Sequence, residues 1–166
     1  MNQPYSIEER SFPEMTVLSV RTTDTLRAMG SYIKGLYEQA KIRGLRPTGP
    51  LFTIYFEKPG EKPELEYELN LPVEGPPEEL DKLADMGGDP CLHLRVKGSY
   101  SQFAAAYGAL GDYAAKKGYE LAGPPREVYV RGPLLGFLTF IPTMVTDLYF
   151  PVASFAKKDD IGKAGY

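Results

Sequence analysis

The chain has 166 residues, of which 43% are hydrophobic and 25% charged, a composition typical of one soluble globular domain. Its formal net charge is −3 and it has no basic stripe, so direct binding to nucleic acid is not expected. No stretch is apolar for long enough to span a membrane and no targeting segment is recognisable, so the chain is expected to be cytoplasmic, without a membrane partner.

An internal duplication organises the sequence. The segment GLRPTGPLFTIYF, from Gly44 to Phe56, aligns with GYELAGPPREVYV, from Gly118 to Val130, at an offset of 118 − 44 = 74 residues. Further on, YELNLPV from Tyr67 aligns with TDLYFPV from Thr146 at an offset of 146 − 67 = 79 residues. The constant offset predicts two copies of one structural unit, with five extra residues between the last two strands of the second copy.

Each copy is predicted to form a strand, a helix and two further strands, in that order. In the first copy, the alternating run MTVLSV precedes an amphipathic helix that ends at Gly44, and a Pro-containing turn then opens a hairpin. The acidic segment 74–89, rich in Pro and Gly, is predicted to be a surface crossover with one short helical turn. We therefore expect a single domain over 1–166, with repeat one at about 13–75, repeat two at about 90–152 and a tail at 153–166.

The alternation of residues along each strand predicts two different faces of the sheet. The residues expected to pack against the helices are Leu18, Val20, Ile54, Phe56, Leu69, Leu71, Leu92, Leu94, Val128, Val130, Leu148 and Phe150. Those expected on the opposite face are Ser19, Thr53, Tyr55, Glu66, Glu68, Asn70, His93, Arg95, Glu127, Tyr129, Asp147 and Tyr149. The predicted fold class is α+β. Duplicated strand-helix-strand-strand modules form a pseudo-twofold antiparallel sheet with helices on one face and a ligand groove on the other.

The predicted groove carries one carboxylate among aromatic rings. Tyr55 and Tyr129 are equivalent in the two copies, and Glu127 is expected beside them, with Tyr149 and His93 on the same face. Tyrosine rings and a carboxylate on one face are suited to contact with a ligand. The alternative for the tyrosines is ordinary cross-strand packing, and the alternative for His93 is a hydrogen-bonded structural role.

The Glu127 carboxylate also has a plain alternative, as a solvated strand residue or one paired with Arg126 or Arg95. The loop GPLLGFLTFIP is too apolar for idle exposure, so Phe137 and Phe140 are predicted to belong to a lid over the groove. Zinc-ligand spacing, a phosphate-binding Gly-rich loop and a nucleophile elbow are all missing from the sequence, so no metal and no cofactor are expected.

The duplication, together with Gly118, Tyr119, the Gly123–Pro124 pair and the Glu127-x-Tyr129 sequence, resembles the GyrI-like small-molecule-binding superfamily. The resemblance spans roughly residues 13–152. This family includes the effector-binding domains of AraC-type and MerR-type multidrug-responsive activators. Those activators also have a helix-turn-helix region, and none is recognised in this sequence, so a stand-alone form of the domain is expected. The resemblance implies binding of hydrophobic, often cationic, small molecules, with Glu127 as the acid at the bottom of an aromatic groove.

The resemblance also implies two rival functions. Some stand-alone relatives hydrolyse cyclopropane-bearing genotoxins, which would make Glu127 a general base and Tyr55 or Tyr129 a proton donor. Gyrase inhibitors of the family suggest instead a protein-interaction module, whose acidic groove rim of Glu66, Glu68 and Asp147 would meet a basic partner.

Overall fold

The computed structural model describes residues 5–131 and 144–155. The strands there are β1 (Glu8–Ser11), β2 (Met15–Asp24), β3 (Arg46–Pro47), β4 (Phe52–Tyr55), β5 (Leu65–Glu74), β6 (Ala84–Met86), β7 (Pro90–Lys97), β8 (Arg126–Arg131) and β9 (Val145–Pro151). The helices are α1 (Met29–Ile42), α2 (Pro77–Leu80) and α3 (Phe103–Lys117). Short 3-10 turns at Leu26–Ala28 and Tyr100–Gln102 lead into α1 and α3.

The strands form an antiparallel sheet in the order β1-β7-β9-β8-β4-β5-β2-β6, and β3 pairs with β5 beside this path. The first copy is β2-α1-β4-β5 and the second is β7-α3-β8-β9, so the duplicated α+β fold is confirmed. Leu18 lies opposite Leu71 in the first copy, and Leu92 lies opposite Phe150 in the second. These pairs reproduce the two offsets predicted from the sequence.

The two copies meet where β4 pairs with β8. Phe52 lies opposite Val128 and Ile54 lies opposite Arg126, on either side of the pair formed by Thr53 and Glu127. Thr53 and Glu127 are themselves equivalent in the two copies, since 127 − 53 = 74. The pseudo-twofold axis therefore passes beside Glu127, at the centre of the sheet.

Two edge strands are exchanged between the copies. β1 precedes the first copy but pairs with β7 of the second, whereas β6 precedes the second copy but pairs with β2 of the first. The two edge pairings are equivalent. The pairing of β1 with β7 puts Glu8 opposite His93, and the pairing of β6 with β2 puts Met15 opposite Met86. The two pairings have the same register when one copy is superposed on the other at the offset of 74 residues. The repeating unit is thus longer than predicted, because the crossover holds β6 as well as the short helix α2.

The assignment of residues to faces is right for β2, β5, β7 and β9 but wrong for β4 and β8. Thr53 lies opposite Leu69 and Glu127 lies opposite Leu148, so both belong to the face that packs against the helices. Phe52 and Ile54 instead join Phe12 and Tyr149 in a core on the opposite face. All four residues of β4 are buried, because both faces are covered at the centre of the sheet, and hydrophobic alternation then cannot identify the helix-bearing face.

Each long helix buries one side against the sheet. α1 buries Met29, Ile33, Leu36 and Ala40, and α3 buries Ala106, Leu110 and Ala114. Gly118 ends α3 in the left-handed conformation with φ of 73°, which costs glycine little because it has no Cβ. Within residues 5–131 and 144–155, no helix is long and apolar enough to cross a bilayer.

Gly87, between β6 and β7, is a position where alanine is expected to destabilise the fold. Its φ is +107°, and a Cβ built there would lie 2.1 Å from the carbonyl oxygen of Pro13, next to the exchanged strands. We expect Gly87→Ala to lower the free energy of unfolding by about 2–4 kcal/mol. The matched control is Gly108→Ala on α3, where no atom lies within 4 Å of the added Cβ. Equal stability of the two variants in denaturant unfolding would contradict this account of the turn.

Candidate functional site: a buried carboxylate among phenols

The carboxylate of Glu127 lies inside the protein, on the helix-bearing face of the sheet. The residue is 5% exposed. Tyr107 of α3 donates a hydrogen bond of 2.8 Å from its hydroxyl to Oε1, and the hydroxyl of Tyr129 lies 3.2 Å from Oε2. Both carboxylate oxygens are therefore within reach of phenol donors.

A cluster of hydroxyl groups extends from this carboxylate across the pseudo-twofold axis. The hydroxyl of Tyr129 lies 2.9 Å from Oγ1 of Thr53 and 3.3 Å from the hydroxyl of Tyr55. Tyr129 has a single hydroxyl proton, so it can donate to only one of its three oxygen neighbours at a time. The arrangement of hydrogen bonds can thus change without any movement of the backbone.

Burial alters the acidity of these groups. Desolvation raises the pKa of Glu127 to about 7, although hydrogen bonds from Tyr107, Tyr129 and Tyr55 oppose the shift. Desolvation and the nearby Glu127 charge raise the pKa values of Tyr55 and Tyr107 far above the ordinary phenol range. The phenols therefore remain neutral hydrogen-bond donors, while Glu127 titrates near neutral pH.

Glu127 has no cationic partner among the described residues, because none of their Lys, Arg or His side chains forms an ion pair with it. Arg126, its chain neighbour, instead donates bonds of 3.0 and 2.7 Å to Asp89 on the opposite side of the sheet. Arg95 pairs with Asp147 at 2.8 Å. The alternatives of a solvated Glu127, or one paired with Arg126 or Arg95, are therefore wrong. The site holds a buried acid surrounded by hydroxyl groups.

His93 and Tyr149 do not lie beside Glu127, and their predicted place in the same groove is wrong. They face each other across β7 and β9, with ring centroids 4.9 Å apart, on the face opposite Glu127. His93 Nε2 lies 3.1 Å from Asp147 Oδ1, but off the line of a straight N–H hydrogen bond. Neither ring nitrogen makes a hydrogen bond within the described part of the chain, so the hydrogen-bonded structural role of His93 stays a prediction. Phe137 and Phe140, predicted as parts of a lid, lie outside the described residues.

The predicted acidic rim is also displaced from Glu127. Glu66 and Glu68 alternate with the buried Tyr67 and Leu69 of β5, so they occupy the opposite face of the sheet. Glu66 forms an ion pair of 2.8 Å with Arg21. Asp147 shares this face and is paired with Arg95, which helps to hold its pKa below the usual range. The three carboxylates therefore lie on the face opposite Glu127.

The sequence profile of the GyrI-like small molecule binding domain matches residues 3–153, almost the entire chain. The chain belongs to the GyrI-like family. No curated protein matches the GyrI-like chain in sequence.

Solved structures share the GyrI-like fold. The C-terminal domain of EcmrR superposes with a TM-score of 0.72 at 21% identity, covering 92% of this chain and 99% of that domain. EcmrR in a complex with DNA superposes with a TM-score of 0.72 at 22% identity, and the match covers 89% of this chain but only 57% of the EcmrR chain. A hydrolase encoded by lin2189 from Listeria innocua superposes with a TM-score of 0.64 at 12% identity, and the match covers 89% of this chain and 91% of the hydrolase chain. At these identities the likeness concerns the fold.

Sequence reasoning missed Tyr107, the phenol of α3 that donates to Glu127 in the GyrI-like site. Thr53 is predicted on the same face as Glu127, and the structure places it in the hydroxyl cluster. A signal for Tyr107 was present, because its equivalent in the first copy is Ile33, since 107 − 33 = 74. A phenol at a partly buried position where the other copy has an aliphatic residue needs a hydrogen-bond partner, and Glu127 is that partner.

Proposed function

We propose that the protein binds hydrophobic cationic small molecules, with Glu127 as the counter-ion and the surrounding tyrosines as walls. The observation that carries this proposal is a carboxylate that is 5% exposed and has only hydroxyl partners within the described chain. A buried charge is costly unless a partner compensates it. A bound cation supplies that compensation.

In this proposal the tyrosines around Glu127 serve as aromatic walls for a flat cation. Tyr55 and Tyr129 join the core beneath α1, and Tyr107 reaches Glu127 from α3. Aromatic faces attract cations by about 0.5–2 kcal/mol each, depending on how dry the contact is. At ~4 Å in an effective dielectric of ~20, the carboxylate adds about 4 kcal/mol of attraction before desolvation is subtracted. These forces select charge and apolar surface and do not specify one ligand.

Binding of a permanent cation should release a proton at neutral pH. Glu127 titrates near pH 7 when the site is empty, and a cation nearby favours the charged carboxylate and lowers its pKa. Affinity is then constant well above pH 7 and falls up to about tenfold for each pH unit below it.

A calorimetric titration with crystal violet, a triarylmethyl cation, and with its uncharged leuco form tests the proposal. We expect crystal violet to bind at least about tenfold more tightly at pH 8, since only the cation interacts with the Glu127 charge. Equal affinities for the two forms would overturn the counter-ion role.

Removal of the Tyr107 hydroxyl should move the pH dependence of binding. Tyr107 donates the 2.8 Å bond that stabilises the charged form of Glu127. We expect Tyr107→Phe to raise the midpoint of the affinity curve by about one pH unit. The control is Tyr113→Phe on the same helix, because Tyr113 donates to the exposed Glu9 instead. A shift of the same size in both variants would contradict the assignment.

The same carboxylate suits a second candidate function, hydrolysis. A group with a pKa near 7 is a suitable general base at neutral pH, and the hydroxyls of Tyr107 and Tyr129 lie within hydrogen-bond reach of it. Turnover of a cyclopropane-bearing genotoxin that stops in Glu127→Gln would support the enzyme. Cation binding without turnover of such a compound would favour the binding protein.

A further inference from the structure

Tyr100 carries a buried hydroxyl without a hydrogen-bond partner in the part of the chain that the structure describes. Buried hydroxyl groups in folded proteins are normally paired, because an unpaired one loses the hydrogen bonds that water gave it. The orphaned hydroxyl therefore needs a specific explanation.

The position of Tyr100 associates it with the Glu127 site. Its ring centroid lies 5.0 Å from that of Phe103 and 6.4 Å from that of Tyr129, whose hydroxyl is 3.2 Å from Glu127. Burial and the charge of Glu127 raise the pKa of Tyr100 to about 12. The hydroxyl thus stays protonated next to an acidic site and can both donate and accept a hydrogen bond.

The first copy of the repeat shows that the turn itself does not need a phenol. Leu26 is the equivalent residue, since 100 − 26 = 74, and it begins the same 3-10 turn. Leu26 is 44% exposed and has no hydroxyl group. Thr25 and Ser99 cap the two turns in equivalent positions, so the local backbone forms with either residue.

Other groups already fix the turn in the second copy. The side-chain amide of Gln102 donates a bond of 2.9 Å to the carbonyl of Lys97, and the backbone of Gly98 donates one of 2.8 Å to Met144. Ser99 Oγ accepts from the amide of Ser101 at 3.2 Å. Since the Tyr100 hydroxyl takes part in none of these bonds, its removal should leave the turn intact.

We propose that the hydroxyl of Tyr100 accepts a hydrogen bond from an N–H group of the bound cation, so that the site distinguishes cations with N–H groups from fully alkylated ones. This inference rests on the proposed binding function, because the cation is placed by Glu127. A ligand that satisfies both the carboxylate and the hydroxyl compensates the two buried polar groups together. The ligand class is therefore an aromatic amine or iminium cation rather than any lipophilic cation.

Two dyes with one framework test this preference. Crystal violet carries fully methylated nitrogens, whereas pararosaniline carries hydrogens on the same nitrogens. We expect Tyr100→Phe to weaken pararosaniline about 3- to 10-fold, the effect of one hydrogen bond, and to change crystal violet less than about twofold. Calorimetric titrations at pH 8 give the two affinities, and thermal unfolding verifies that Tyr100→Phe and Tyr100→Leu are folded.

The outcomes are distinguishable. Tyr113→Phe, which removes a hydroxyl from α3 away from Glu127, should leave the ratio of the two affinities unchanged. A loss common to both dyes, or no loss for either, overturns the role of Tyr100 while the binding function stands. Failure of the wild-type protein to bind either dye overturns the proposed function and this inference with it.

Discussion

Replacement of Glu127 by glutamine is expected to weaken crystal violet binding about 10- to 100-fold at pH 8. The substitution keeps the shape of the side chain and removes the charge. The attraction of about 4 kcal/mol at ~4 Å in an effective dielectric of ~20 is partly offset by desolvation, so a net loss of about 1.4–2.8 kcal/mol is expected. At pH 5 the wild-type carboxylate is protonated, because its pKa lies near 7, and the two proteins should then bind alike.

Glu9 provides the matched control for this experiment. It is a strand carboxylate that also accepts hydrogen bonds from two phenols, those of Tyr113 and Tyr119, but it is exposed on β1. Glu9→Gln should leave crystal violet binding unchanged at every pH. If both variants lose affinity to the same extent, general electrostatic attraction accounts for binding and Glu127 has no special role.

The second large effect concerns stability without any ligand. Glu127 has a pKa of about 7 in the folded protein and an ordinary value near 4.5 in the unfolded chain. A raised folded-state pKa contributes stability that is fully present below pH 4.5 and is lost as the pH rises through 7. A shift of about 2.5 units corresponds to roughly 3 kcal/mol, since one unit is worth about 1.4 kcal/mol. The buried charge thus destabilises the empty protein at pH 8.

Glu127→Gln should remove this penalty. We expect the stability of the variant relative to wild type to rise by about 3 kcal/mol between pH 4 and pH 8, measured by denaturant unfolding at each pH. The change with pH is the decisive quantity, because glutamine pairs differently with Tyr107 and Tyr129 at all pH values. A constant difference between the variant and wild type across this range would mean that the carboxylate titrates as it does in water.

The repeats and their register could be predicted because a constant offset reflects a repeated chain path. The same offset identifies Thr53 and Glu127 as equivalents and so puts Glu127 at the centre of the sheet. The exchanged strands β1 and β6 could not be predicted, because they have four and three residues and no clear alternation. Short edge strands are defined by their partners rather than by their own sequence.

The site was predicted in part, and the error has one cause. Glu127, Tyr55 and Tyr129 were expected together, and the structure brings them together. His93 and Tyr149 were added because β4 and β8 were assigned to the wrong face. Phe52 and Ile54 are more hydrophobic than their neighbours, so the sequence places them on the helix-bearing face of β4. In the structure that face carries the buried Thr53 and Tyr55 instead. When both faces of a strand are buried, the sequence alone does not show on which face a polar residue lies. The face becomes clear only when the hydrogen-bond partner of that residue is known.

Proton release on cation binding tests most directly the claim that Glu127 is the counter-ion. Titration of crystal violet at pH 6, in buffers of different ionisation enthalpy, gives the number of protons released per ligand. The account predicts release of about 0.4–0.8 of a proton by the wild-type protein at pH 6, because a 10- to 100-fold effect of the charge lowers the pKa of Glu127 by about 1–2 units on binding. It predicts almost no release at pH 9, and none at either pH for Glu127→Gln. Binding without proton release at pH 6, or undiminished release in Glu127→Gln, would contradict it.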